Sequence, residues 1–286
     1  MPMRVVPTIA EFRALRRALA EPVGLVPTMG YLHEGHLSLV RLARASCASV
    51  VASVFVNPTQ FAPSEDLDAY PRDLERDLRL LEAEEVDLVL APEDPASFYP
   101  PGYCTWVDVE GITDRLEGAS RPTHFRGVAT VVTKLFHVVA PQRAFFGQKD
   151  AQQAAVIRRL IADLDFDIEM VVGPTVREPD GLAMSSRNAY LSPDDRAAAP
   201  ILHRALRLAE RLVGDGERDA ERVRDAMRTL IESEPRVKLE YVSVADAANL
   251  DELDEIDRPA LASLAARVGA TRLIDNVLLQ PGQELS

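Results

Sequence analysis

Hydrophobic positions in the first 175 residues follow two rhythms. Short continuous apolar runs at 23–26, 49–56 and 86–90 have the length of buried strands. Between them apolar residues recur every three or four positions. Leu37, Val40 and Ala43 predict a helix over 34–46, and Leu74, Leu78 and Leu81 predict another. Thr8 and Glu11 have the spacing of a capping box that opens a helix over 8–19. Farther on, the pattern predicts extended chain over 105–109, a mostly buried helix over 127–138 and a strand over 143–146. A helix over 151–164 and a strand over 167–172 follow. Strands separated by helices of this length make βαβ units and a parallel sheet. Such sheets bind ligands at the carboxyl ends of their strands.

The rhythm changes after Pro174. A polar loop reaches about 193, a long helical stretch follows, and 238–244 and 271–278 read as strands. This places a domain boundary near 175, with a larger domain over 1–175 and a smaller α/β domain over 176–286.

Charge narrows the partners. The net charge is −13, which argues against a general nucleic-acid surface and obliges any polyphosphate site to gather its positive groups in one cleft. Lysine occurs only at 134, 149 and 238, so Lys149 inside a motif carries weight. No apolar run is long enough for a membrane span, and the N-terminus lacks the apolar core of an export signal. Cys47 and Cys104 lie far apart without metal-ligand spacing, which fits a reducing cytoplasm.

Four segments carry chemistry that a scaffold does not require. PTMGYLHEGH, at 27–36, lies where a strand turns into a helix. Gly30 and Gly35 let main chain approach a ligand, and a helix start offers N–H groups to an anion. His33 and His36 can donate to phosphate oxygens and gain most where charge grows in the transition state. A metal pair is the rival reading, but His-x-x-His is not the His-Glu-x-x-His of zinc proteases, and no cysteine or carboxylate cluster adjoins it.

FVNPTQF, at 55–61, puts Asn57 and Gln60 at a strand's carboxyl end. Both suit a substrate hydroxyl or carboxylate, although Asn-Pro is also an ordinary turn pair. In FGQKDAQQ, at 146–153, Gly147 permits close approach and Lys149 supplies a point charge for phosphate. Asp150 either caps the next helix or accepts from a ribose, and Gln153 follows one helical turn on. In VREPDGLAMSSRN, at 176–188, Ser185, Ser186 and Arg187 offer two hydroxyls and a guanidinium to a polyphosphate. The same stretch reads equally as a polar interdomain linker, where a mobile clamp would also sit.

Together with RPTHFRG and ATRLIDN, these segments resemble the pantoate–β-alanine ligase (pantothenate synthetase) family over nearly the whole chain. His33–His36 is a variant of the HIGH motif of the HxGH nucleotidyltransferase superfamily, and Met184–Arg187 stands where related synthetases carry KMSKS. The resemblance implies an α/β fold: a Rossmann-type parallel sheet flanked by helices over 1–175, binding ATP and pantoate, and a smaller C-terminal α/β domain over 176–286. It also implies a cytoplasmic homodimer. The implied reaction is ATP-dependent ligation of (R)-pantoate to β-alanine through a pantoyl adenylate, giving pantothenate, AMP and pyrophosphate.

Residue by residue, the resemblance implies ATP contacts from Met29, Gly30, Tyr31, Leu32, His33, Glu34, Gly35 and His36. It adds Gly147, Gln148, Lys149, Asp150, Val176, Met184, Ser185, Ser186 and Arg187. His36, His33 and Lys149 take catalytic roles. Gln60 is implied to touch pantoate and β-alanine, and Gln153 pantoate; Arg121 and His124 fall in a segment near the active site. Mg²⁺ is expected on the ATP phosphates, with no protein ligand assigned. No motif residue reads as a general base for the β-alanine amine. The loop over 61–70, acidic and proline-containing, reads as a lid.

Two rivals differ in outcome. A nucleotidylyltransferase of the same superfamily would leave AMP on its product. A nucleotide-binding regulator would need affinity but not transition-state donors, so the intact histidine pair, Lys149 and Ser185-Ser186-Arg187 argue against it.

Overall fold

The computed structural model describes residues 2–62 and 67–282. By internal contacts the chain divides into two compact units. One comprises Met1–Gln148 with Gln153–Pro174, the other Lys149–Gln152 with Thr175–Ser286.

The first unit is built on a parallel sheet of β1 (Arg4–Val6), β2 (Val23–Thr28), β3 (Ser49–Val54), β4 (Leu88–Leu90), β5 (Arg143–Gly147) and β6 (Glu169–Gly173). The spatial order is β1-β4-β3-β2-β5-β6, with every pairing parallel. Its helices are α1 (Ile9–Arg16), α2 (Glu34–Ser46), α3 (Leu74–Ala83), α4 (Glu117–Ser120), α5 (His124–Val139) and all but the first two residues of α6 (Ala151–Asp163).

Alternation along the strands explains why both faces are covered. Leu25, Val51, Leu88, Leu90, Ala144 and Phe146 share one core with Phe12 of α1, Val128, Val132 and Phe136 of α5, and Ile157 of α6. The intervening Val26, Val50, Ala52, Val89 and Phe145 share the other with Leu39, Val40 and Ala43 of α2 and Leu81 of α3. A strand with two buried sides reads as a continuous apolar run, which is how these strands appear in the sequence.

Chain direction reverses its progress across the sheet between β2 and β5, so the crevice for a ligand lies at their carboxyl ends. These two strands pair only at Gly24↔Arg143 and Leu25↔Ala144. By contrast, β2 pairs with β3 along all six residues from Val23 to Thr28.

The second unit contains α7 (Pro193–Ala198), α8 (Ile201–Gly214), α9 (Ala220–Glu232) and the antiparallel sheet β7 (Val237–Asp246), β8 (Ala260–Val268), β9 (Thr271–Leu279), in the order β7-β8-β9. Leu202 and Leu206 of α8, with Val223, Met227 and Ile231 of α9, pack on Ala262, Leu264 and Ala266 of β8.

Two parts of the hydropathy reading meet a different outcome. Strands β1 and β8 are absent from the hydropathy reading, and 105–109 joins no described strand: the N–H of Val107 bonds instead to Thr130 Oγ1 at 3.0 Å. Residues 63–66 of the expected lid lie outside the described residues. Its flanks, Phe61 and Tyr70, are both buried and meet edge to face at 5.8 Å. Among the described residues, no helix is long and apolar enough to cross a membrane.

Candidate active site

Directly after β2, Gly30 and Tyr31 both take positive φ, 84° and 50°. The N–H of Gly30 meets Thr28 Oγ1 at 3.2 Å. Those of Tyr31 and Leu32 meet the two oxygens of Asp77, on α3, each at 2.7 Å. Asp77 is buried, and burial raises its carboxyl above the ordinary carboxylate range. The N–H groups of Leu32 and Tyr31 and the Arg76 charge pull the other way.

Helix α2 then begins with a capping box made of histidines. His33 is the N-cap, and its Nδ1 accepts the N–H of Gly35 at 3.2 Å; His36 Nδ1 accepts the N–H of His33 at 3.3 Å. A ring nitrogen that accepts carries no proton, so each neutral imidazole holds its proton on Nε2, the nitrogen the cap does not use. The ring centroids stand 4.1 Å apart. A side chain at 35 would crowd them, because a Cβ there would lie 2.9 Å from His33 Cε1.

The expected open row of N–H donors is therefore mostly consumed by the turn itself. Of the main-chain N–H groups from 30 to 36, only that of Glu34 lacks a partner among the described residues.

At the end of β3, Asn57 and Gln60 are buried around a short 3₁₀ turn, Pro58–Gln60. Asn57 Oδ1 accepts the N–H and the hydroxyl of Thr59 at 3.3 and 2.9 Å. Its amide nitrogen donates to the Gly127 carbonyl at 3.1 Å and to Gln60 Oε1 at 2.9 Å. The Thr59 N–H only donates and the Gly127 carbonyl only accepts, so the orientation of the Asn57 amide follows from its neighbours. Gln60 thus has its side-chain oxygen engaged and presents N–H donors, which suits an acid or hydroxyl ligand.

The Gln60 carbonyl is gripped by His124 Nδ1 at 2.9 Å and Arg121 Nη2 at 3.2 Å. A carbonyl only accepts, so the His124 proton sits on Nδ1. Its Nε2 then accepts from Arg121 Nη1 at 3.3 Å. The turn presses directly on α5: a Cβ at Gly127 would lie 2.3 Å from the Thr59 oxygen.

Strand β5 ends at Gly147, where an added Cβ would meet nothing within 4 Å. A 3₁₀ turn, Gln148–Asp150, leads into α6, with Gln153 half-buried in the first turn of that helix. Lys149 is mostly covered, its Nζ stands 3.4 Å from Asp150, and its carbonyl accepts from Asn276 Nδ2 at 2.8 Å.

Residues 176–188 form a built turn rather than slack linker. The N–H of Met184 meets the Val176 carbonyl at 3.0 Å, and that of Glu178 meets Leu182 at 2.8 Å, with Gly181 at φ 93° closing the bend. Arg177 is held by both oxygens of buried Asp275, at 2.6 and 3.0 Å. Ser185 accepts the N–H of Arg187 at 3.3 Å and so caps the 3₁₀ turn Ser186–Tyr190.

The first unit therefore brings His33, His36 and Gln60 to the carboxyl ends of neighbouring strands. The second gathers Lys149 with Asn276, pairs Met184 with Val176, and ties Arg177 to Asp275. Hydropathy reading misses Asp77, yet the signal is present: a carboxylate stands on the apolar stripe of α3 beside Leu78 and Leu81. Asp275 and Asn276 lie within ATRLIDN, where only their contacts show what they do.

A family model described as Pantoate-beta-alanine ligase matches residues 4–278. The pantothenate synthetase of Roseiflexus sp. (strain RS-1) is 61% identical over 278 residues, covering 97% of this chain and 100% of the relative. The crystal structure of pantothenate synthetase from Thermus thermophilus is similar with a TM-score of 0.92 and 51% identity, over 96% of this chain and 99% of that one. Pantoate-beta-alanine ligase from Francisella tularensis, complexed with beta-gamma ATP and beta-alanine, is similar with a TM-score of 0.80 and 33% identity, over 96% and 97%. The histidine turn, the Gln60 seat and the Ser-Ser-Arg turn thus sit in a chain matched over almost its whole length, and this chain belongs to the pantoate–β-alanine ligase family.

Proposed function

We propose that the chain carries out its family's ligation of pantoate to β-alanine through a pantoyl adenylate formed from ATP. The observation that carries this reading is the pair of imidazoles at the end of β2, each with Nδ1 tied to main chain and its proton on Nε2. The Francisella relative's complex with beta-gamma ATP and beta-alanine supports the same two ligands here.

In the first step a pantoate carboxylate oxygen attacks the α-phosphorus of ATP and the bond to pyrophosphate breaks. Such a transfer needs alignment and donors for spreading negative charge more than covalent help from the protein. The reading gives these roles to His33, His36, Lys149, Ser185, Ser186 and Arg187. Met29 to Leu32, Glu34, Gly35, Gly147, Gln148, Asp150, Val176 and Met184 complete the ATP contacts. Gln60, offering N–H donors, holds pantoate and then β-alanine, and Gln153 holds pantoate.

In the second step the neutral β-alanine amine attacks the acyl carbon. The bond to AMP breaks, and the amine proton passes to water or a substrate oxygen. Mg²⁺ belongs to the proposal as ATP's companion, supplying charge neutralisation on the phosphates. Phosphate oxygens and water are the hard ligands this ion takes. A cytoplasmic homodimer is part of the same reading, on the family resemblance.

The test is pantoate-dependent exchange of labelled pyrophosphate into ATP. Exchange without β-alanine, and free AMP in the complete reaction, are expected. Absence of exchange with pantoate, or AMP retained on the product, would sink the adenylate.

A further inference from the structure

We propose that Asp77 is a positioning residue for the ligase reaction: from α3 it holds the main chain of Gly30 to Leu32 so that His33 and His36 aim at the ATP phosphates. This rests on the phosphate role given to the histidines above.

Three features of the turn argue for it. The Asp77 oxygens each take one N–H, Tyr31 to Oδ2 and Leu32 to Oδ1, and Leu32 immediately precedes the N-cap His33. Fixing those peptide planes fixes the start of α2, and with it both rings. Tyr31 also occupies the left-handed region, which costs about 1–2 kcal/mol for a residue with a Cβ, so the turn needs an outside hold to stay there. Finally, Gly30 is matched to the carboxylate: a Cβ at 30 would stand 3.0 Å from Asp77 Oδ2. Arg76 completes the grip, with Nη1 3.6 Å from Asp77 Oδ1 and its guanidinium 5.4 Å from the centre of the Tyr31 ring.

The chemistry requires a carboxylate. An amide at 77 has one acceptor oxygen, and its NH₂ would face one of the two N–H groups, leaving a buried donor unsatisfied. The isosteric Asp77→Asn change therefore releases one end of the turn without opening a cavity.

The experiment is a double-mutant cycle of Asp77→Asn and His36→Ala, with kcat/KM for ATP at saturating pantoate and β-alanine, thermal unfolding and pantoate affinity measured on each variant. Asp77→Asn is expected to lower kcat/KM for ATP about 10²-fold, the scale of a small misplacement of reacting groups, while pantoate affinity stays within about twofold. In the His36→Ala background the same change should cost less than about fivefold, because residues acting as one unit are not additive. A folded Asp77→Asn enzyme with ATP kinetics within about threefold of wild type overturns the proposal, as does a full loss repeated on His36→Ala. If His36→Ala is itself harmless, the phosphate role of the histidines falls and this inference falls with it. A harmful His36→Ala beside a harmless Asp77→Asn removes Asp77 alone. Should Asp77→Asn fail to fold, Gly30→Ala, which crowds the same carboxylate from the other side, enters the cycle in its place under the same criterion.

Discussion

The turn at 27–36 and the loop at 176–188 are both assigned to ATP phosphates, yet they are held in opposite ways. In the turn, hydrogen bonds fall on the functional side chains themselves: each imidazole is locked through Nδ1. In the loop, main-chain bonds set the bend, and Arg177 is held by both oxygens of Asp275. The first arrangement fixes the direction of a donor before the substrate arrives, which is what transition-state stabilisation needs. The second sets the course of the backbone that carries Ser185, Ser186 and Arg187, so its supports act on those side chains through the main chain. Damage to the turn should therefore appear in kcat, and damage to the loop's supports in the KM for ATP.

The largest expected effect is that of His36→Ala, a fall in turnover of about 10²–10³-fold with little change in ATP KM. Steady-state kinetics decide it, and a variant impaired only in KM would erase the contrast. Next is Asp275→Asn, which leaves the Arg177 charge without its partner. Denaturant unfolding should show a loss of about 2–3 kcal/mol, and the ATP KM should rise with kcat nearly intact. An equal fall in kcat would mean that the loop is as directional as the turn.

Gly127→Ala tests a third kind of support, packing alone. It should cost about 1–3 kcal/mol by thermal unfolding and raise the KM for pantoate more than that for ATP. Unchanged pantoate kinetics would detach the Gln60 seat from α5. The smallest effect is expected for Ser185→Ala, which removes a cap worth about 1 kcal/mol. Kinetics should show a loss of tenfold or less, because Ser186 and Arg187 remain beside it as donors, and a loss matching His36→Ala would make Ser185 the dominant donor of the loop.

What was legible followed from periodicity and from strings of unusual composition. The bounds of α2 match the reading because its apolar spacing at Leu37, Val40 and Ala43 agrees with the strand-to-helix turn at Gly30 to Gly35. Strand β8, ALASLAARV, was not legible. Alanine favours helices on intrinsic propensity, and a central strand buried on both faces shows no alternation to betray it. The reading of 105–109 as extended segment had no way to show that it lacked a pairing partner.

The segments proposed to bear donors were legible, since their glycines, histidines and serines stand out in the sequence. Their supports were not. Asp77 is about forty-five residues from the turn it holds, and Asp275 is about a hundred from Arg177. No local pattern expresses such distances. A charged residue on an apolar stripe was the one cue for Asp77, and it becomes meaningful only when its partner is known.

The brief pairing of β2 with β5 bears on how this site yields to change. Beyond Leu25 and Ala144 the two strands run on to Thr28 and Gly147 without pairing to each other. Of those residues Pro27 and Gly147 are partly exposed while Val26, Phe145 and Phe146 are buried, so main chain reaches the lip of the crevice chiefly at Gly147, which has no side chain. Point substitution replaces side chains but leaves N–H and C=O in place. An inhibitor anchored on that lip would therefore meet a target with few single-step routes to resistance, whereas one anchored on Gln60 or His36 would meet groups that a single codon change can remove.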